Sequence, residues 1–162
     1  MAYRDLHEFV EKLESENELA RIKTELSPVL EITEVTNRVV KKGGKALLFE
    51  RPKGYSIPVL TNAFGTKKRM LMALSIKSFD EIAEKIFSIV KKRPSSLFDA
   101  IRSFEKLRDL MAMNPKKVRN APCKEKVAES LEKFPILKCW PKDAGKFITL
   151  PVVITKDPVS EE

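Results

Sequence analysis

Lys138-Cys139-Trp140-Pro141-Lys142-Asp143-Ala144-Gly145-Lys146-Phe147-Ile148-Thr149-Leu150-Pro151-Val152-Val153-Ile154-Thr155-Lys156-Asp157-Pro158 runs almost to the last of the 162 residues. The Asp-Ala-Gly turn leads into an apolar, β-branched run, which predicts a buried strand over Phe147 to Thr155 and a further turn at Asp157-Pro158. A strand that enters a turn normally pairs with the chain beyond that turn, and only four residues remain here. The pattern reads as the opening of a larger domain.

Working back from that strand, Trp140 to Gly145 is a turn-rich bend with Trp140 as a packing anchor, and Val127 to Leu137 is short and mixed. The stretch Asn114 to Pro122 holds prolines and basic residues without apolar periodicity, as a linker would. Before it lie two apolar helical stripes. One is Phe79, Ile82, Ala83, Ile86, Ile89 and Val90, opened by a Ser78/Glu81 capping box and limited by Pro94. The other is Leu97, Ile101, Phe104, Leu107, Leu110 and Met111, and both are expected to face a core. Thr66 is placed to cap a helix reaching Leu74.

The N-terminal third alternates helix and strand. Tyr3, Leu6, Phe9, Val10 and Leu13 recur at helical spacing, and Glu18 to Thr24 predicts a short strand. Ser27 with Pro28 at the first position predicts a second helix, ended by Gly43. Ala46 to Glu50 and Ile57 to Asn62 lean to strand across the Pro52-Lys53-Gly54 turn. These elements define an α/β (α+β) module, a small sheet with helices packed on it.

Composition excludes several classes of protein. Hydrophobic residues at 43% and charged residues at 33% describe a globular chain. No apolar run is long enough to span a bilayer, and residues 1–13 lack a signal-peptide core, so the expected location is cytoplasmic. The net charge of +8 raises nucleic-acid binding. Lys and Arg are scattered and interleaved with acids, however, and no stacking platform accompanies them, so nucleic acid is not expected as a partner. Lys41-Lys42 and Lys91-Lys92-Arg93 fall at helix ends, where cations complement the dipole. Lys67-Lys68-Arg69 and Lys116-Lys117-Val118-Arg119 have no such explanation.

Independent catalytic chemistry is absent from the pattern. Gly43-Gly44-Lys45 and Gly54 lack the spacing of a phosphate loop. Glu8, Glu11, Glu14, Glu16 and Glu18 read as a solvated face without perturbed acidity. His7 reads as solvent-facing, and Cys123 and Cys139 as free thiols with one disulfide between them the arithmetic alternative, so neither a metal set nor a Cys-His pair can be assembled.

Several motifs, taken in order, resemble the UbiD decarboxylase family. They are Tyr3-Arg4-Asp5-Leu6, Leu19-Ala20-Arg21-Ile22, Gly43 to Glu50, Pro52-Lys53-Gly54-Tyr55, Ile57-Pro58-Val59-Leu60 and Asn62-Ala63-Phe64-Gly65-Thr66. Ala121-Pro122-Cys123, Phe134 to Gly145, Ile148-Thr149-Leu150-Pro151 and Thr155-Lys156-Asp157-Pro158 continue the series. The resemblance implies a carboxy-lyase that removes or adds carboxylate on unsaturated or aromatic acids, with prenylated FMN supplying the electron sink and a carboxylic acid returning the proton. It implies a divalent metal (Mn or Mg), with K as a further candidate. The residue pattern divides the chain into a module over 1–114, a linker over 115–122 and a further segment over 123–162, which the resemblance implies is the start of a truncated split-barrel flavin-binding domain.

The family's metal and phosphate ligands sit in an Asn-containing motif a few residues after the Thr-Lys-Asp-Pro turn, and this sequence ends at Pro158-Val159-Ser160-Glu161-Glu162. No catalytic, cofactor-binding or metal residue is therefore assigned within 1–162. The expected partner is the remainder of the enzyme or a companion chain, in a homo-oligomer. The chain alone is expected to be inactive and not to hold flavin tightly. A non-catalytic assembly or binding module and a basic nucleic-acid-binding protein are the alternative functions.

Overall fold

The computed structural model describes residues 3–90, 119, 121, 125–150, 159 and 160, without the side chains of 85 and 88–90. The described residues fall into two compact units, one holding 3–73 with 130–150 and the other 74–90 with 125–129.

The first unit is built on a βαβ unit. Helix α1 (Leu6–Ser15) starts where the Asp5 side chain accepts a hydrogen bond from the Glu8 amide, and it buries Phe9, Val10 and Leu13. Strand β1 (Leu19–Ile22) follows, then α2 (Glu31–Lys41), then β2 (Ala46–Phe49), which pairs parallel with β1 from Leu19↔Ala46 to Ile22↔Phe49. Strand β3 (Val59–Thr61) returns antiparallel to β2, giving the order β1-β2-β3.

Every residue of β2 is buried, as expected of a central strand covered on both faces. Because successive side chains alternate, Ala46 and Leu48 join Phe9, Val10, Leu13, Leu19 and Ala63 in one core. Leu47 and Phe49 join Ile32 in a second core on the opposite face, with Val35 and Val39 of α2 packed against it.

Helix α2 ends as its sequence requires. The Gly44 amide donates to the Val39 carbonyl and the Gly43 amide to the Val40 carbonyl, with Gly43 at φ +64, so a Schellman motif closes the helix. Its start differs from the expectation. Ser27 and Pro28 do not open the helix, which begins at Glu31 behind Leu30, a residue at φ +68 that makes no side-chain cap. Glu31 reaches back to the Ser27 amide and Ser27 Oγ accepts from the Val29 amide, so the capping groups close a turn one step early.

Loop Asn62–Thr66 then leads into α3 (Lys67–Leu74), where Thr66 Oγ1 accepts from the Arg69 amide. Phe64 of this loop stacks on Phe9, ring centroids 5.8 Å apart, and Tyr3 meets Phe9 edge-on at 5.1 Å. In the C-terminal part, Ser130 caps a 3-10 turn, Leu131–Lys133. Leu137 then packs against the second core, and Leu137 and Lys138 make isolated bridges to Phe147 and Val29.

In the second unit, α4 (Phe79–Val90) opens with Glu81 accepting from the Lys77 amide, one residue ahead of the expected box. Within its expected apolar face Ile86 is 55% exposed while Ile82 is half-buried, and the side chains of Ile89 and Val90 lie outside the described residues.

Two further expectations are corrected. Trp140 is 56% exposed and not an anchor, because the Trp140–Asp143 turn closes on itself: the Asp143 amide donates to the Trp140 carbonyl and the Trp140 amide to Asp143 Oδ2. The buried strand from Phe147 is, over 147–150, a single bridge at Phe147, with Leu150 74% exposed. No strand among the described residues lies beside it to extend the ladder. The helix over Leu97 to Met111, most of the linker, the remainder of the strand, and Cys123 lie outside the described residues.

Candidate functional site

Among the described residues a polar cluster surrounds Arg69, on the first turn of α3. Its side chain is 1% exposed and lies on the same helical face as Met72 and Ala73, which pack against the first core. Arg69 Nη1 donates to Glu18 Oε2 at 2.9 Å and Nη2 donates to the Gly44 carbonyl at 3.1 Å. Nε is buried without a partner.

Glu18, just before β1, also pairs through Oε1 with Lys68 at 3.0 Å. Lys68 and then Arg69 hold the Glu18 carboxyl below its ordinary acidity range, against the opposing effect of burial. Asn62, at φ +54, donates through Nδ2 to the carbonyls of Gly44 and Lys45. Gly65 completes the arrangement, because a Cβ there would stand 1.7 Å from Asn62 Oδ1 and 3.1 Å from Arg69 Nη2.

The cluster ties together the start of β1, the Schellman turn after α2 and the loop before α3. Its acid and base are committed to each other, and it contains neither a nucleophile nor a carboxyl with raised pKa. It therefore works as a clamp on the fold.

The Lys67-Lys68-Arg69 run, unexplained by the sequence, is in part the basic half of this clamp. Glu18 leaves the solvated acidic face on which it was expected. The expectation of unperturbed acidity fails for its neighbours also. Arg21 lowers Glu14 through a paired contact at 2.7 Å, and Lys12 lowers Glu16. These are exposed pairs of small energetic weight. One signal for Arg69 was available: it stands three and four residues before Met72 and Ala73, on the apolar stripe of α3. Glu18 had none, its partner being 51 residues away.

The residues expected to be inert behave simply. The His7 side chain is largely exposed beside Glu11, and Cys139 is a free thiol. A prenylated flavin with its metal needs an anionic ligand set and free cations for the phosphate. Among the described residues no group of three or more His, Cys, Asp or Glu could hold a metal ion, and the one buried cation is already engaged. The described residues do not supply that metal set.

Comparison with known proteins supplies the identity. Residues 10–87 match the 3-octaprenyl-4-hydroxybenzoate carboxy-lyase N-terminal domain, and residues 116–162 match the Rift-related domain of the same carboxy-lyase. An uncharacterized protein of Archaeoglobus fulgidus is 62% identical over the whole chain, which covers 34% of that protein. One from Aquifex aeolicus is 51% identical over 98% of the chain, again covering 34% of the relative.

Among solved structures, an evolved dimeric form of the UbiD-class enzyme HmfF from Pelotomaculum thermopropionicum, in complex with prFMN, aligns with a TM-score of 0.68 and 30% identity. That alignment covers 98% of this chain and 34% of the enzyme. The open form of Sedimentibacter hydroxybenzoicus vanillic acid decarboxylase aligns with a TM-score of 0.64 and 27% identity over 90% of this chain and 30% of its own. The chain belongs to the UbiD carboxy-lyase family, as its motifs suggested, and spans about a third of the length of these relatives. Its mixed helices and three-stranded sheet are the α/β fold expected.

Proposed function

We propose that this chain forms the N-terminal module and the opening of the Rift domain of a carboxy-lyase that uses prenylated FMN to decarboxylate an unsaturated or aromatic acid. In this reading 1–114 is the module, 115–122 the linker and 123–162 the start of the cofactor domain. Catalytic, flavin-phosphate and metal ligands (Mn or Mg, with K) are supplied by polypeptide equivalent to the other two thirds of the relatives. The working enzyme is a cytoplasmic homo-oligomer, and the chain alone is inactive.

One observation carries the reading. Likeness to a prFMN-bound UbiD-class enzyme runs over 98% of this chain, which spans 34% of that enzyme. The exposed apolar side chains of Phe147, Ile148 and Leu150 support it, since a domain that continued would bury them.

Co-expression tests the proposal. The chain is produced with a polypeptide matching the remaining two thirds of the Archaeoglobus fulgidus relative, in a host that makes prenylated FMN. The purified material is then offered a panel of cinnamic, furoic and hydroxybenzoic acids. Decarboxylation by the pair and none by the chain alone is expected. Turnover by the chain alone, or none by a flavin-loaded pair on any acid, would contradict it.

A further inference from the structure

The start of α2 is held by a segment more than a hundred residues away. The Leu30 amide donates to the Lys138 carbonyl at 3.0 Å, and the Lys138 amide donates to the Pro28 carbonyl at 3.2 Å. Between these bonds the Glu31 amide donates to the Val29 carbonyl at 2.9 Å, closing a γ-turn about Leu30 at φ +68, ψ −38. The γ-turn with positive central φ is the rare, strained form, and a residue with a Cβ persists there only when its surroundings impose it.

The surroundings here are Lys138 and the helix itself. The Leu30 carbonyl accepts the first α2 bond, from the Glu34 amide, and the Ile32 amide donates to the Ser27 carbonyl. The Leu30 side chain is half-buried, belongs to neither core among the described residues and makes no cap, so no core contact shown there accounts for its backbone. On the other side of Lys138, Leu137 packs against Ile32, Leu47 and Phe49, and its carbonyl accepts from the Phe147 amide. Leu30 lies in the segment matching the N-terminal domain, and Leu137, Lys138 and Phe147 lie in the segment matching the Rift-related domain.

We propose that Leu137-Lys138 is a strap, and that its docking and the first turn of α2 form one two-state element joining the two family segments. Docked, the strap forces Leu30 into the left-handed γ-turn that sets the Leu30 carbonyl for α2. Lifted, Leu30 relaxes to an extended backbone and the first turn of α2 opens. Because the coupling is reciprocal, a rearrangement of the Rift-matching segment that pulls on Lys138 is felt at α2, and the state of α2 is felt at the strap. The proposal stands apart from the cofactor reading and holds whatever the bound group.

Amide hydrogen exchange on the full chain tests it residue by residue. Lys138→Pro deletes the donor to Pro28 without touching α2. Amides of Leu30, Ile32 and Glu34 are expected to exchange about tenfold faster, roughly 1.4 kcal/mol, while those of Leu13 and Leu48 are unchanged. Leu30→Gly relieves the left-handed strain without removing a bond. The Lys138 amide is expected to exchange several-fold more slowly in it, and adding Lys138→Pro to that background should disturb Ile32 and Glu34 less than it does in the parent. Unchanged Ile32 and Glu34 exchange in Lys138→Pro would overturn the strap. If that variant loosens Leu13 as well, Leu30→Gly alone decides, and an unchanged or faster Lys138 amide refutes the proposal.

Discussion

Glu18→Gln is the sharpest test of the clamp. The substitution keeps the side chain's size but removes the charge that faces Arg69 Nη1 at 2.9 Å and Lys68 Nζ at 3.0 Å. Depriving a fully buried ion of its partner costs about 3–5 kcal/mol. Glu18 keeps 19% of its side-chain surface in water, and Arg69 retains its bond to the Gly44 carbonyl. The loss is therefore nearer that of one charged hydrogen bond, about 2 kcal/mol.

For a chain of this length that loss lowers the melting temperature by about 4–8 °C. Arg69→Met removes the buried charge and its orphaned Nε together, so the Glu18→Gln, Arg69→Met double variant should cost less than the sum of the single variants by about 1–2 kcal/mol. Guanidinium unfolding followed by circular dichroism, with matched m-values, gives the three differences. A Glu18→Gln loss below about 0.5 kcal/mol, or additive single effects, would refute the clamp.

Other predictions rest on the same cluster and core. Lys68 and Arg69 lower the Glu18 pKa in the folded chain, so the unfolded chain binds the proton more readily. Stability from this group is full above its ordinary value of 4.5 and is lost as pH falls through the lower folded value. Unfolding free energy should drop more steeply below pH 4.5 in the parent than in Glu18→Gln, and equal slopes would contradict the assignment. Gly65→Ala should destabilise by about 1–3 kcal/mol, because Asn62 must break its bonds to Gly44 and Lys45 to admit a Cβ. Gly43→Ala, where a Cβ meets nothing, should cost only the left-handed backbone term of about 1 kcal/mol. Leu13→Ala in the core of α1 should cost about 2–5 kcal/mol, whereas Leu6→Ala on the exposed side should change stability little. Chemical denaturation of the set ranks them, and a Gly65→Ala cost below that of Gly43→Ala would be the informative failure.

The range of each interaction decides whether the sequence reveals it. The strands, α1 and the end of α2 are specified by neighbours: an apolar alternation, an i, i+3, i+4 stripe, and two glycines whose amides reach Val39 and Val40. The beginning of α2 is not. Ser27-Pro28 has the local form of a helix start, but Lys138 imposes the γ-turn at Leu30 and delays the helix to Glu31.

The clamp is hidden for the same reason. Glu18 carries no local mark of its distant partner, whereas Arg69 does stand on an apolar stripe that makes its burial intelligible afterwards. The apolar stripe of α4 and the run from Phe147 are legible as hydrophobic patterns. A periodicity states that a face can be buried, not which polypeptide buries it, and Ile86 and Leu150 are exposed here. The family was legible because its motifs are distributed along the chain, from Tyr3-Arg4-Asp5-Leu6 to Thr155-Lys156-Asp157-Pro158.

The chain carries the fold of the family's N-terminal region, and in the function proposed for it the flavin ligands come from polypeptide equivalent to the other two thirds of the relatives. Titrating prenylated FMN, with Mn²⁺ and K⁺ present, into the purified chain and following flavin absorbance and fluorescence tests it directly. The account predicts no saturable change at micromolar protein from the chain alone, and a saturable change once polypeptide equivalent to the other two thirds of the relatives is added. Tight, stoichiometric binding by the 162-residue chain alone would contradict it.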